Sequence, residues 1–358
     1  MSARGIAVVM SGFPRRSETF ALGELLALEE RGALAAVFAT KPGEAGPAQP
    51  GCERLLGKVQ VLPEGDPARQ AAFVAERLAG RRVGGVHGYF AHTPADVAAR
   101  AAALLGVPYG FSTHARDARK VAPDMMARRA RKAACVVACN TDVSEEIRRG
   151  GGTVHLLPHG VDLRRFRPTP HEHSEELRLL AVGRLVEKKG FHILLAAAGL
   201  LDFPFRLRIV GDGPERERLS EMIETHGLTG RITLEGSLTH AELPGAYAAA
   251  DAVVIPSVQD SSGDRDGLPN VVLEAMACAR AVVASDISAV GCAVSDGETG
   301  LLVPPANASA LASALKRLAV APALRERLGR GGRERVESDY EVGRCTERLY
   351  QLLTNVYC

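Results

Sequence analysis

The sequence predicts an α/β protein made of two doubly wound domains, each a parallel sheet with helices on both faces. The chain has 358 residues, more than one hydrophobic core usually organises. Short apolar segments alternate with amphipathic ones along nearly the whole chain, which is typical of strand–helix–strand units. The alternation stops once, at the polar stretch 164–177, which we interpret as the interdomain linker. The predicted domains are 1–168 and 169–340, followed by a C-terminal segment, 341–358.

In the first domain, IAVVM is a short continuous apolar run, typical of a strand covered on both faces. ETFALGELLALEERG has apolar residues at helical spacing and ends on a glycine. Residues 41–57 are rich in Gly and Pro and indicate a loop. The predicted strands are 6–10, 33–40, 83–90, 107–115, 135–140 and 154–162, and the predicted helices are 18–32, 94–106 and 141–151.

The second domain restarts the same alternation. Ligands of doubly wound sheets bind beyond the carboxyl ends of the strands, so the residues that follow each strand are the site candidates. We expect the two domains to face each other across a central cleft. The predicted strands are 177–185, 205–213, 231–238, 251–257, 279–285 and 299–305, and the chain ends in predicted helices 309–319, 322–337 and 341–356.

The composition argues against several classes of protein. A formal net charge of +2 is too small for a dedicated nucleic-acid binder. No run of 18 apolar residues predicts a membrane span, and we interpret the N-terminus as a first strand rather than a signal peptide. The scattered cysteines indicate reduced thiols in a cytoplasmic protein. Cys135 and Cys139 lack the second pair that would complete a metal site, so we expect none.

Two motifs follow strands of the first domain. In SGFPRRSETF, Gly12 would let the backbone approach a phosphate or substrate closely, while Ser17 is equally consistent with a helix N-cap. In FSTHARD, His114 follows a strand beside Arg116 and Asp117, and is either a polar site residue or a structural histidine. Two further strand-end candidates are His87 and Asp162.

RLVEKKGF follows the apolar run LLAVG and begins the second domain's site. Arg184 and Lys189 lie five residues apart, where a planar guanidinium and a compact ammonium would reach one diphosphate together. The alternative is a solvated basic turn.

DGLPNVVLEAMA (266–277) places a carboxylate, Glu274, among apolar residues. Pro269 suits the first turn of a helix, where its missing N–H needs no partner. Free backbone N–H groups at this helix start, near Leu268, Pro269 and Asn270, would form an anion site. Asp266 and Glu274 bracket it and suit sugar hydroxyls, because carboxylates accept the two hydrogen bonds that a vicinal diol offers. The alternative is a surface helix on which Glu274 points to water.

Two other charged patterns have a functional and a structural interpretation. Asp264 and Asp266 form a D-x-D pattern found in metal–diphosphate clamps, but we assign it no metal because Asp266 already belongs to the longer motif.

The basic segment 118–133 is either a patch for an anionic membrane surface or lipid-diphosphate acceptor, or a solvated helix face. Its cations are Arg119, Lys120, Arg128, Arg129, Arg131 and Lys132.

Taken in order, LLPHGVDLRRF, GRLVEKKGF, IVGDGP, DGLPNVVLE and DGETGLLVPP match the spacing of motifs in family 4 glycosyltransferases. The chain resembles this retaining family, which has the GT-B fold, over nearly its whole length. FPRRSETF and STHARD resemble the exopolysaccharide and colanic-acid branch. The resemblance implies a GT-B fold whose C-terminal helix crosses back onto the first domain.

The resemblance also implies a nucleoside-diphosphate-sugar donor held mainly by the second domain, with no metal or other cofactor. The acceptor would be a glycan, a lipid-linked sugar or a small molecule, and the enzyme would be cytoplasmic, with peripheral attachment to the inner face of the membrane left open. By this resemblance, Arg184 and Lys189 would bind the donor diphosphate, and Glu274 would bind the ribose hydroxyls. Asp266 would bind the donor sugar. Gly12 would lie beside the diphosphate, and His114 would lie beside the transferred sugar.

The sequence departs from the family at three places. Asp266 stands where the family usually has Glu, residues 278–281 read CARA instead of C-G-x-P, and the loop 288–292 lacks the usual Pro and Glu. The leading hypothesis is a retaining hexosyltransferase of polysaccharide or glycoconjugate biosynthesis. The altered loop favours an alternative, a non-catalytic nucleotide-sugar-binding subunit of a synthase complex. A sugar-nucleotide epimerase would share the fold, but the basic and acidic motifs resemble transferases more closely.

Overall fold

The computed structural model describes residues 4–15, 18–44, 49, 51–114, 121–170 and 174–358. The chain forms two compact units, one comprising Met1–Gly160 with Val342–Cys358 and the other Val161–Glu341. The division therefore falls at Gly160 rather than at the predicted residue 168. The reason is that Val161 and Phe166 are buried in the core of the second unit, so part of the predicted linker belongs to that unit.

The first unit is built on a parallel sheet. Its strands are β1 Gly5–Met10, β2 Leu34–Ala39, β3 Val59–Val61, β4 Val83–Tyr89, β5 Tyr109–Thr113, β6 Cys135–Ala138 and β7 His155–Leu156. Its helices are α1 Thr19–Glu30, α2 Glu53–Leu56, α3 Pro67–Leu78, α4 Thr93–Leu105, α5 Pro123–Lys132 and α6 Thr141–Arg149. The strand order is β3-β2-β1-β4-β5-β6-β7. The central strands are buried on both faces, which explains why they read as continuous apolar runs.

Side chains at the ends of elements explain several boundaries in this unit. The carboxylate of Asp66 accepts a hydrogen bond from the Arg69 N–H and begins α3, and Asn140 caps α6 in the same way. The predicted strand 154–162 shrinks to two residues, because Pro158 has no N–H to pair. The predicted loop 41–57 contains α2, which is too short to show helical periodicity.

The second unit repeats the architecture with six parallel strands. They are β8 Leu177–Val182, β9 Phe205–Val210, β10 Ile232–Gly236, β11 Ala252–Ile255, β12 Ala281–Ser285 and β13 Leu301–Val303, in the order β10-β9-β8-β11-β12-β13. A 3-10 turn, Glu187–Lys189, precedes helices α7 Phe191–Ala198, α8 Arg216–Thr225, α9 Leu243–Ala248, α10 Asn270–Ala277, α11 Val290–Ala293, α12 Ala308–Val320 and α13 Pro322–Asp339. Two hydrophobic clusters fill this unit, so the sheet is covered on both faces. The prediction of two doubly wound parallel-sheet domains is confirmed.

The last helix, α14 Val342–Tyr357, belongs to the first unit. Leu349, Leu353 and Tyr357 are buried in a hydrophobic cluster of that unit. The Tyr357 hydroxyl also lies 3.0 Å from Nδ1 of His87 in β4. The chain thus returns to the first unit after completing the second. Within the described ranges, no helix combines the length and apolarity needed to cross a bilayer.

Candidate functional site

The turn between β8 and α7 is fixed against the loop that follows β11. Gly190 has a left-handed backbone, φ 65°, and a Cβ added there would lie 1.8 Å from the Pro256 carbonyl oxygen. Only glycine permits this approach. Glu187 strengthens it by accepting hydrogen bonds from the backbone N–H and the hydroxyl of Ser261. The residues that follow β8 and β11 are therefore held together.

Two lysines of this turn meet two aspartates of the loop. The Lys188 ammonium lies 3.0 Å from Asp264 and 3.2 Å from Asp266, and its side chain is only 8% exposed. The Lys189 ammonium lies 2.6 Å from the other oxygen of Asp266. Burial alone would raise the pKa of Asp266, but the ammonium groups of Lys189 and Lys188 outweigh it and hold the pKa below its usual value. Asp266 is therefore an ionised acceptor with two cations beside it.

Lys188 also explains the D-x-D pattern. Its ammonium lies within 3.2 Å of both Asp264 and Asp266, so a side-chain cation bridges these two carboxylates. Lys188 was not predicted as a site residue, because the sequence does not show that both lysines of this run turn toward the aspartates.

Glu274 lies on α10 and is 8% exposed, so the alternative of a surface helix with this side chain in water is wrong. Its Oε2 accepts a hydrogen bond of 2.6 Å from the Tyr247 hydroxyl. Burial raises the pKa of Glu274, while the Tyr247 hydrogen bond and the positive charges of Arg165 and Lys189 lower it in part. Tyr247 is a second residue that was not predicted for the site. It lies on α9, and nothing in its sequence surroundings distinguishes it from a core aromatic residue.

The start of α10 has the features of an anion site. Pro269 is the N-cap, with φ −67° and ψ 134°, so it directly precedes the first turn in which the sequence predicted it, and the helix begins at Asn270. The first N–H groups of a helix have no acceptor within it, and they carry the positive end of its dipole. Since proline has no N–H, the donors in this stretch are Leu268, Asn270 and Val271.

Arg184 and Lys189 occupy the same turn in different environments. Arg184 is exposed, whereas Lys189 is turned toward Asp266 and only 17% of its side chain is exposed. The basic turn is thus partly internal and partly solvated. Joint binding of one diphosphate by these two cations stays a prediction.

In the first unit, His114 directly follows β5 and lies in an aromatic cluster. Its ring centroid is 4.8 Å from that of Phe20 and 5.0 Å from those of Phe90 and His159. Gly12 follows β1, and a Cβ there would lie 2.9 Å from the Pro42 carbonyl oxygen. The close packing of its own chain is therefore sufficient reason for this glycine, and a role beside the donor stays a prediction.

Two other first-domain candidates have structural roles. His87 is fully buried in β4, where its ring nitrogens lie 3.0 Å from the Tyr357 hydroxyl and 2.9 Å from the Ser112 hydroxyl. Burial lowers the pKa of His87 to about 3, so the ring is neutral. It is a core residue rather than a site residue. Asp162 accepts a hydrogen bond from the Arg164 N–H and stabilises a local turn in the second unit.

Several basic side chains of helix α5 are paired with groups of the first unit. Arg129 donates to the His92 carbonyl oxygen, and Arg131 donates to the Gly150 carbonyl oxygen at 2.8 Å. Arg128 pairs with Asp124 across one helical turn. These contacts within the chain argue against a continuous basic patch on α5. The predictions for Ser17, Arg116, Asp117, Arg119 and Lys120 lie outside the described residues.

Two protein-family models match the chain one after the other. Residues 17–165 match the model described as Glycosyltransferase Family 4, and residues 164–335 match Glycosyl transferases group 1. Together they cover both structural units with the order of domains that the motifs imply. The chain belongs to the family 4 glycosyltransferases.

Curated relatives agree with this assignment. The putative colanic acid biosynthesis glycosyltransferase WcaL of Escherichia coli is 33% identical over 204 residues, which cover 54% of this chain and 49% of WcaL. The alpha-D-kanosaminyltransferase of Streptomyces kanamyceticus is 33% identical over 174 residues, 48% of this chain and 44% of that protein. The matched region thus spans about half the length of these relatives. The WcaL match agrees with the branch that the N-terminal motifs indicate.

A solved structure extends the similarity to the whole chain. The sucrose-phosphate synthase of Thermosynechococcus elongatus superposes with a TM-score of 0.80 at 25% identity, covering 99% of each chain. The GT-B fold that the resemblance implies is thereby confirmed.

Proposed function

We propose that this protein is a retaining glycosyltransferase that transfers a sugar from a nucleoside-diphosphate sugar to a glycan, lipid-linked or small-molecule acceptor. The observation that carries the proposal is the arrangement around α10, where Lys189 and Asp266 lie before the helix and the buried Glu274 lies in its second turn. Family membership supports sugar transfer. The WcaL relative, whose name refers to colanic acid biosynthesis, supports a place in polysaccharide or glycoconjugate biosynthesis.

The donor diphosphate would bind at the positive end of α10. Breaking the bond between the sugar and the phosphate develops negative charge on the leaving diphosphate and positive charge on the sugar. Backbone N–H groups at a helix start and a nearby ammonium are fixed donors for that negative charge, and such preorganised groups lower the barrier. Lys189 supplies the ammonium, and the exposed guanidinium of Arg184 would join it when donor is bound.

The two acids would bind the sugars of the donor. The Tyr247 hydroxyl donates a hydrogen bond to Oε2 of Glu274 and so fixes the carboxylate. Oε1 of Glu274 would then accept hydrogen bonds from the ribose diol. Asp266 is kept ionised by Lys188 and Lys189, so it accepts hydrogen bonds from the donor sugar's hydroxyls. Since the Lys188 ammonium already bridges Asp264 and Asp266, we propose that transfer needs no divalent metal at these acids. Transfer in the presence of EDTA tests that statement.

For the chemical step we adopt same-face transfer. The bond from the sugar's anomeric carbon to the phosphate oxygen breaks, and a bond from that carbon to the acceptor oxygen forms on the same face. The acceptor proton passes to the leaving phosphate oxygen, so no separate base is required. His114 would lie beside the transferred sugar, as the resemblance implies.

The test is donor turnover by the wild type and by Glu274→Gln. Nucleoside diphosphate release and sugar transfer are measured across a panel of donors with lipid and polysaccharide acceptors, and the anomeric configuration of the product is determined. Replacing a charged acceptor of the ribose should lower kcat/KM about 10- to 100-fold, because hydrogen bonds to charged groups contribute about 1.5–3 kcal/mol. Glu224→Gln, an exposed glutamate of the same unit, is the matched control and should leave kcat/KM unchanged.

A non-catalytic nucleotide-sugar-binding subunit is the second candidate. The observation that favours it is the loop 288–292, which has no carboxylate and begins with Ser288 in a left-handed conformation, φ 54°. Tight donor binding without turnover under every acceptor condition would support this candidate. Absence of binding to any donor would contradict both. Lys189→Met should weaken donor binding in either case, so it does not separate them.

A further inference from the structure

Three side chains with metal-ligating atoms converge at one end of the first unit's sheet. His114 directly follows β5, Cys139 directly follows β6, and His159 lies shortly after β7. These are neighbouring parallel strands, so their carboxyl ends meet at one edge. One ligand atom from each residue lies within 4.8 Å of the other two, and all three residues are half-buried. The fold therefore brings two imidazoles and a thiol together as an N₂S donor set.

Outer contacts orient two of these side chains. The Glu24 carboxylate lies 2.8 Å from Nδ1 of His159, which leaves Nε2 as the atom available to a ligand. His159 also makes a hydrogen bond with the Cys139 side chain, so two of the three ligand side chains already lie together. The Cys139 sulfur accepts a hydrogen bond of 3.3 Å from the Asn140 side chain. A carboxylate behind a histidine is the outer contact that commonly fixes a metal-binding imidazole.

We propose that His114, Cys139 and His159 bind a divalent transition-metal ion of the zinc type, with a fourth position left for water or another ligand. A tetrahedral zinc ion with N and S ligands requires donor atoms about 3.3–3.6 Å apart. The donor atoms here lie at most 4.8 Å apart, so they would approach by up to about 1.2–1.5 Å on binding the ion. A thiolate with two imidazoles selects zinc-type ions over magnesium or calcium, which prefer oxygen ligands.

This inference departs from the expectation of no metal site. Cys135 is the cysteine nearest to Cys139 in the sequence, but it lies in β6 and is buried in the hydrophobic core. The residues that do approach Cys139 lie on other segments. The inference shares His114 with the proposed transfer site, but it does not involve the cluster around α10, and its test needs neither donor nor acceptor.

The test is direct metal binding by the full chain after chelator treatment and thiol reduction. Cobalt(II) is titrated alone as a spectroscopic probe, since thiolate ligation gives an intense near-ultraviolet charge-transfer band and tetrahedral geometry gives strong visible bands. We expect one equivalent to bind and zinc to displace it. Cys139→Ser should abolish the charge-transfer band. His159→Gln should weaken binding at least about 10-fold, and Glu24→Gln about 10- to 100-fold.

The matched control is Cys345→Ser, because Cys345 is buried and lines the same small pocket without belonging to the ligand cluster. It should keep both the band and the affinity. No band at stoichiometric cobalt, a band that survives Cys139→Ser, or a band lost equally in Cys345→Ser would overturn the proposal. If Cys139→Ser fails to fold by circular dichroism, the wild type decides: zinc must protect Cys139 from alkylation while leaving Cys292 reactive.

Discussion

Replacing Lys188 with methionine tests whether the buried ion pairs stabilise the second unit. The lysine side chain is 8% exposed and contacts both Asp264 and Asp266. Removing one partner of a buried ion pair costs about 3–5 kcal/mol, because the remaining charge is left without compensation. Asp266 keeps Lys189, and the side chain of Asp264 is 22% exposed, so we expect the lower end, about 3 kcal/mol.

Lys316→Met is the matched control in the same unit. Lys316 lies 2.7 Å from Asp202, but the two side chains are 57% and 67% exposed. Exposed ion pairs contribute about 0–1 kcal/mol, since water competes for both charges. The control pair is shorter than either contact of Lys188, so distance and burial predict opposite rankings of the two variants.

The assay is urea unfolding followed by far-ultraviolet circular dichroism, because the chain has no tryptophan to report by fluorescence. Both lysines belong to the same compact unit, so the midpoint of the same transition is compared at an unchanged slope. Equal losses in the two variants, or a larger loss in Lys316→Met, would refute the reasoning from burial. Donor binding is measured on the folded variants and should weaken only in Lys188→Met.

Three further changes test other parts of the molecule. The pKa of His87 is about 3 in the folded protein. As the pH falls, this histidine therefore gains its proton in the unfolded chain before it does so in the folded protein. The free energy of unfolding should then fall by about 1.4 kcal/mol per pH unit between about pH 6.5 and pH 3. His87→Gln should remove this contribution, and equal acid slopes in the two proteins would contradict it. Gly190→Ala and Gly227→Ala replace glycines with φ 65° and 64°, but only the first clashes with backbone. In urea unfolding, we expect Gly227→Ala to lower the free energy of unfolding by about 1 kcal/mol because of backbone strain. Gly190→Ala should lower it by at least about 2 kcal/mol more, and donor titration should show a reduced donor affinity for this variant. Tyr247→Phe removes the hydrogen bond to buried Glu274 and should cost about 1–3 kcal/mol in urea unfolding, and an unchanged midpoint would show that water replaces the hydroxyl.

Much of the candidate site was predictable because parallel sheets present their ligand-binding residues at one edge. Arg184, Lys189, Asp266 and Glu274 all come from segments that follow strands, and the structure holds these segments together. Lys188 and Tyr247 were not predictable by the same reasoning. The inward direction of Lys188 depends on a three-residue turn.

The sequence by itself determined the fold class, the two-domain organisation and the family, since hydrophobic period, turn residues and motif spacing are properties of short segments. Only the tertiary structure decided how the charges are paired. Lys188 and Asp264 are 76 positions apart, and Tyr247 and Glu274 are 27 apart. The cluster of His114, Cys139 and His159 likewise arises only when neighbouring strands align. The physical reason is that ion pairing, desolvation and metal ligation act over a few ångströms, a distance that separation along the chain does not specify.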